Sequence, residues 1–241
     1  MGASAPTTIG IPGDQVLREY FDNHRRLTSI PTKPIGRVKM TTMLTVIPLI
    51  AGPIAQVEGQ DAKAIVAAEC VACHGMDGNG PVPTFPKLAG IQQEYLAKQL
   101  VELANGTRKS DVMKPIAEKY SQAELFALAT YFSGQLRKPG VVTNPALVEE
   151  GRILYHQGNK ETGVPACAGC HKPDGTGTPR SPMLAGQDPA YTLQQMRNFD
   201  HDIRTNDRGR LMRTVAGRMN EEEMRAVSEY IAGMAVTPGQ P

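Results

Sequence analysis

Two pentapeptides of the form Cys-x-x-Cys-His hold all four cysteines of this 241-residue chain. The first runs from Cys70 to His74 and the second from Cys167 to His171. A glycine-rich tail follows each, GMDGNG in one case and KPDGTG in the other. A disulfide between positions three apart closes a tiny loop and gains little chain entropy. It also gives no reason for a histidine directly after the second cysteine. Structural zinc needs a closed tetrahedral site. Each triplet offers three ligands, the triplets stand 97 residues apart, and neither surrounding sequence supplies an obvious fourth. A thioredoxin-like redox pair needs a βαβ context that is missing. Covalent haem accounts for every feature: two thiols on one helical turn meet the two vinyl groups of one porphyrin as thioethers, and the adjacent imidazole reaches the iron. The residues therefore read as two c-type haem attachment sites, Cys70, Cys73 and His74 for one and Cys167, Cys170 and His171 for the other.

Around these sites the chain repeats itself. PKLAG at 86–90 answers PMLAG at 182–186, Tyr95 answers Tyr191, and Tyr131 answers Tyr230. The last helix of each repeat opens on a cap residue with Glu three positions later, Ser121 with Glu124 and Asn220 with Glu223. Apolar residues then fall at helical spacing: Leu125, Leu128 and Phe132 in one repeat, Met224, Val227 and Ile231 in the other. Gly134 and Gly233 are expected to close these helices. No stretch alternates as a strand would, and LRKPGVVTNPA at 136–146 has the composition of a linker. The expected organisation is all-α, with two tandem domains at 56–139 and 140–241, each wrapped around one haem.

A six-coordinate iron needs a second axial ligand, and methionine is a common partner that raises the reduction potential. Of eleven methionines, Met113 and Met212 stand at equivalent places in both repeats, just before the final helix, and are the expected ligands. Met183, Met196, Met219 and Met224 align with Lys87, Leu100, Tyr120 and Leu125 of the first repeat. Of these, Met196 and Met219 read as core positions. Met76 lies too close to its own attachment site to reach the far face. His156 and His201 lack counterparts and are expected to be exposed.

Aromatic residues make up 5% of the chain and Trp is absent, so a porphyrin is expected to fill part of each small core. The net charge of +2 argues against nucleic-acid binding. Residues 1–55 carry six Lys and Arg against three Asp and Glu, leaving 20 basic and 21 acidic groups in the body. Within that leader, Arg37 and Lys39 precede TTMLTVIPLIAGPIAQVEG, an apolar run with a small-residue exit that reads as a secretory signal. It is shorter than a spanning helix needs and is broken by Pro48, Gly52 and Pro53.

These motifs resemble the two-haem cytochrome c4 proteins. The likeness spans about residues 57 to 235 and rests on CVACHGMDGNG, FPKLAG, KQL, GTRKSDVMKPIAEKY and ALATYFSG in the first half. In the second half it rests on LYHQGNKETGVPACAGCH, LAGQ and RMNEEEMRAVSEYIAGM. The resemblance implies two class I cytochrome c domains related by pseudo-twofold symmetry, each with a His/Met-ligated haem c. It implies a soluble or membrane-associated periplasmic protein that passes single electrons between a quinol-oxidising complex or a dehydrogenase and a terminal oxidase, with no small-molecule substrate. Carried over by position, Cys70, Cys73, His74 and Met113 serve one haem, and Cys167, Cys170, His171 and Met212 the other. Two alternatives remain at this stage, a dedicated electron-transfer subunit of a larger complex and an enzyme of the dihaem peroxidase or thiosulfate-oxidising kind. The departures from the pattern are Lys172 where the first repeat has Gly75, and Ser181 where it has Phe85.

Overall fold

The structure is a computed structural model that describes residues 61–236; the expected leader at 1–55 lies outside them. Among the described residues every regular element is helical, and pairing of the strand kind is confined to one bridge between Asn159 and Val164. In the first domain α1 (Ala62–Ile65) continues through a π-helical turn (Val66–Cys70) into α2 (Val71–His74). The first pentapeptide thus ends a single helical run. Next come α3 (Gln93–Ala104), the short α4 (Lys114–Ala117) and α5 (Gln122–Ser133). The second domain opens with a 3-10 turn (Pro145–Leu147) and α6 (Val148–Gln157), followed by α7 (Ala168–His171) and α8 (Pro189–Asp200). A 3-10 turn (Arg208–Arg210), α9 (Leu211–Ala216) and α10 (Glu221–Gly233) complete it. The main departure from the repeat is local. GNKETGVPA separates α6 from α7, whereas the corresponding run in the first domain is unbroken.

Both expected capping boxes are formed. The Ser121 and Asn220 side chains accept from the backbone N–H groups of Glu124 and Glu223, and each glutamate reaches back to the cap residue's own N–H. These reciprocal bonds satisfy donors that a helix start leaves orphaned. Gly134 caps α5 as expected, whereas α10 runs through Gly233 and takes Met234 as its cap. Helix α5 buries Leu125, Phe126, Leu128, Ala129 and Phe132, and α10 buries Met224, Ala226, Val227, Ile231 and Ala232. In each domain the final helix packs on the first helix and on the central one, α3 or α8. A fully buried aliphatic side chain contributes about 1.5–3 kcal/mol, so these three-helix contacts supply the main apolar stabilisation of each small domain. The crossing of α6 and α10 is close enough to exclude any side chain at Gly151, where a Cβ would lie 2.0 Å from the Ala226 carbonyl oxygen.

The two domains meet through a polar network with its own twofold pattern. Arg108 donates to Gln99, Tyr191 and Gln195, and Arg204 donates to Gln195, Tyr95 and Gln99. Gln187 grips the backbone of Lys87, accepting from its N–H at 2.9 Å and donating to its carbonyl at 3.0 Å. Gln92 answers from the other side, accepting from the Met183 N–H at 3.0 Å and donating to the Thr176 carbonyl. The segment that reads as a linker is strapped down. Lys138 N–H donates to Asn79 in the first domain, Thr143 N–H donates to Glu229 in the second, and Arg137 within the strap is buried. No helix among the described residues is long and apolar enough to cross a membrane.

The contact at Gly151 gives a direct test of the packing. Gly151→Ala is expected to destabilise the protein by about 3 kcal/mol, the upper end of overpacking costs. The exposed neighbour change Glu150→Ala should stay within about 0.5 kcal/mol. Denaturant unfolding of both variants checks this, and equal midpoints would show that α6 and α10 do not cross there.

Candidate functional site

Each pentapeptide ends in a buried histidine, His74 at 5% exposure and His171 at 7%. The Nδ1 of His74 lies 2.9 Å from the carbonyl oxygen of Pro86, and that of His171 lies 2.9 Å from the carbonyl oxygen of Pro182. A carbonyl only accepts, so Nδ1 carries the proton and Nε2 presents its lone pair. Burial holds both imidazoles below the usual histidine pKa, against the opposing pull of the carbonyl bond. A neutral ring with a fixed tautomer and a free Nε2 is what an iron ligand requires.

The glycine-rich tails build this arrangement. The Gly78 carbonyl accepts from Leu88 N–H at 2.7 Å and Ala89 N–H at 3.1 Å. The Gly175 carbonyl accepts from Leu184 N–H at 2.8 Å and Ala185 N–H at 3.1 Å. These bonds hold the PKLAG and PMLAG loops, and with them the two proline carbonyls, over the histidines. A Cβ at Gly78 would lie 2.7 Å from the Ala89 nitrogen, so the docking needs a residue without one.

No disulfide joins the four cysteines. Burial pushes the Cys70 and Cys167 thiols up to about 11, the opposite of the low-pKa thiol of a redox enzyme. Among the described residues no group of three or more His, Cys, Asp or Glu converges. Two thiols and a neutral imidazole on one turn fit the thioether and proximal-ligand chemistry of haem c.

Met113 caps α4, its N–H donating to Ser110 Oγ at 3.1 Å, and Met212 lies in the first turn of α9; both are half-buried. Met183, Met196, Met219 and Met224 are buried. His201 is exposed, but His156 departs from expectation. It is half-buried with its Nε2 2.7 Å from the Tyr230 hydroxyl. The surroundings of the two histidines also differ: the Phe85 ring meets His74 edge-on at 6.2 Å, and Ser181 stands in its place in the second domain. Sequence reading missed the two proline carbonyls, the interdomain glutamines and buried Arg137. Only the repetition of PxLAG signalled any of these.

The family model for cytochrome c matches this chain twice, at residues 59–133 and 148–235. Cytochrome c4 from Thiocapsa roseopersicina is 41% identical over 169 residues, spanning 69% of this chain and 87% of that protein. The chain belongs to the cytochrome c4 family. The crystal structure of reduced recombinant cytochrome c4 from Pseudomonas stutzeri superposes with a TM-score of 0.69 at 38% identity, covering 74% of this chain and 99% of that one. A thiosulfate dehydrogenase electron acceptor from Thiomonas intermedia is 40% identical over 177 residues, spanning 71% of this chain and 81% of that protein. Like the cytochrome c4 proteins, this chain has two tandem class I domains, carries two covalently bound haem c groups and is a dihaem electron-transfer cytochrome.

One member of the site is strained. Directly after His74 the backbone of Gly75 has φ 70° and ψ 162°, a region essentially reserved for glycine. Directly after His171 the same conformation, φ 66° and ψ 156°, is imposed on Lys172. Such residues cost about 1–3 kcal/mol, part of which glycine returns through its freer unfolded chain. Lys172→Gly is therefore expected to stabilise the second domain by about 1 kcal/mol. Chemical denaturation of the haem-loaded protein measures it; an unchanged or lower midpoint would mean that Lys172 bears no strain.

Proposed function

We propose that this chain is a periplasmic electron carrier, with no substrate of its own, in which His74 and Met113 ligate one haem iron and His171 and Met212 the other. Cys70 and Cys73, and Cys167 and Cys170, form the thioethers. We place the domain division near residues 139 and 140, within the strap that runs from one domain to the other, and read residues 1–55 as an export leader. The observation that carries the proposal is the pairing of a buried, carbonyl-oriented histidine in each domain with a half-buried methionine at the equivalent position.

Haem supplies one-electron chemistry at iron. The Pro86 and Pro182 carbonyls orient His74 and His171, which would hold the two irons together with Met113 and Met212 from a separate segment. Irons held by His74 with Met113 and by His171 with Met212 would leave no place for a substrate, which separates this reading from a dihaem peroxidase. His/Met ligation favours a high potential, suited to a carrier between a respiratory donor, such as a quinol-oxidising complex or a dehydrogenase, and a terminal oxidase or other acceptor. A second reading is favoured by the relative named as a thiosulfate dehydrogenase electron acceptor: the same carrier, or a dedicated subunit, receives its electrons from a sulfur-oxidising dehydrogenase.

Met113→Ala and Met212→Ala test the ligation. Each variant is expected to retain two covalent haems, to lose the near-infrared sulfur-to-iron absorption band of one of them, to lower that haem's potential, and to bind cyanide where the parent does not. Variants that keep an unchanged redox titration and both bands would refute the assignment. Reduction of the oxidised protein by a purified quinol-oxidising complex or by a thiosulfate dehydrogenase then separates the two donors.

A further inference from the structure

The strap between the domains carries a buried cation that the fold leaves incompletely satisfied. Arg137 is 7% exposed, and its Nη1 donates to the Lys87 carbonyl at 3.1 Å. Its Nε and Nη2 are buried with no partner, the only buried side-chain polar atoms in that condition among the described residues. A buried unpaired donor costs about 1–3 kcal/mol, more on a charged group. Lys87, also buried, lies beside it, with its Nζ donating to the Pro139 carbonyl at 2.8 Å and 3.9 Å from Asp188. Asp188 is the one carboxylate acting on this pair, so two cations share one anion. Tyr191 faces Arg137 from α8, and Lys138, itself paired with Asp77 at 2.7 Å, lies beside Lys87. The cluster lacks one carboxylate.

The haem of the first domain has carboxylates to offer, because each haem c bears two propionates. Arg137 is joined to that domain's proximal loop, since its acceptor Lys87 directly follows Pro86, the residue that orients His74. The second domain has no equivalent. Gly90 and Gly186 both have φ 69°, and their N–H groups donate at 3.0 Å to Phe132 and Ile231, matching positions of the final helices. Five residues beyond those acceptors stand Arg137 and Val236. A Cβ at Gly90 would lie 3.7 Å from the Arg137 Cβ, and one at Gly186 would lie 2.8 Å from Val236 Cγ2. Lys87 is matched by Met183 in the same way. Two buried cations in the first domain thus correspond to two apolar side chains in the second.

We propose that Arg137, backed by Lys87, binds a propionate of the first domain's haem through Nε and Nη2 and thereby raises that haem's reduction potential selectively. This rests on the two-haem reading above. The physical basis is that a fixed cation favours the reduced iron, which carries one positive charge fewer, and that partial burial limits the screening of this effect. Arg137 also keeps the propionate ionised at all working pH values, because an opposite charge in contact favours the charged form. Burial brings the Arg137 pKa down only to about 10, so the guanidinium stays charged at neutral pH.

The test is a redox titration of the two-haem protein, resolved by haem, for the parent, Arg137→Gln, Arg137→Lys and Lys87→Met. Arg137→Gln is expected to lower one potential by about tenfold in the reduction equilibrium, 59 mV for one electron, and to move the other far less. Arg137→Lys should restore much of the loss, and Lys87→Met should lower the same potential. In Arg137→Gln that haem should also become pH-dependent between about pH 5 and 8, its potential falling as the pH rises and the propionate ionises; in the parent it should stay flat. If Arg137→Gln does not load both haems, Arg137→Lys and Lys87→Met carry the comparison. Unchanged potentials, equal shifts of both haems, or no new pH dependence, with two haems and both sulfur-to-iron bands retained, would overturn the proposal. A parent protein without two haems or without those bands would instead overturn the reading on which it rests.

Discussion

The hydrogen bond from a buried imidazole to a proline carbonyl is the constraint around which each domain is organised. It is a modest interaction, about 1 kcal/mol in net stability, but its consequence is chemical. It decides which ring nitrogen keeps the proton and so which one presents a free lone pair. Its geometry depends on a loop held by the Gly78 or Gly175 carbonyl. Those glycines are set by the tail that follows the pentapeptide. The attachment cysteines, the tails and the PxLAG loops are therefore one device, repeated twice.

Duplication explains most of the remaining architecture, and the two domains depart from it at a few places. The Arg108 and Arg204 networks and the paired glutamines join the domains through nearly equivalent residues on both sides. Burial of such polar groups is tolerated because they are partnered. Against that symmetric background three asymmetries stand out. The second domain forces a lysine into a glycine conformation beside its histidine, it lacks the aromatic neighbour of His74, and the first domain alone holds the Lys87 and Arg137 pair. These are the places where the surroundings of the two histidines differ.

How much was legible in the sequence follows from the range of the forces involved. The attachment sites and capping boxes are local patterns within five residues, and the helical character and the duplication show as periodicity and repetition; all are visible in the letters. The proline carbonyl bonds lie 12 and 11 residues from their histidines, and a backbone acceptor leaves no mark on residue identity. The strap at 136–146 reads as a linker because of its Pro, Gly and Asn content, yet Arg137 within it is buried, beside Lys87 of one domain and Asp188 of the other. His156 was misjudged for a similar reason: its partner Tyr230 is 74 positions away. Composition describes what a segment prefers alone, and tertiary contacts overrule it.

The account stands or falls on porphyrin being held by thioether bonds in both halves of one chain. Pyridine haemochrome absorbance per polypeptide, read together with the mass of the denatured mature protein and of its two proteolytic halves, measures this directly. Two haems per chain are predicted, one remaining on the fragment with Cys70 and Cys73 and one on the fragment with Cys167 and Cys170. Extraction of the pigment by acidified solvent, or both haems remaining on a single fragment, would contradict it.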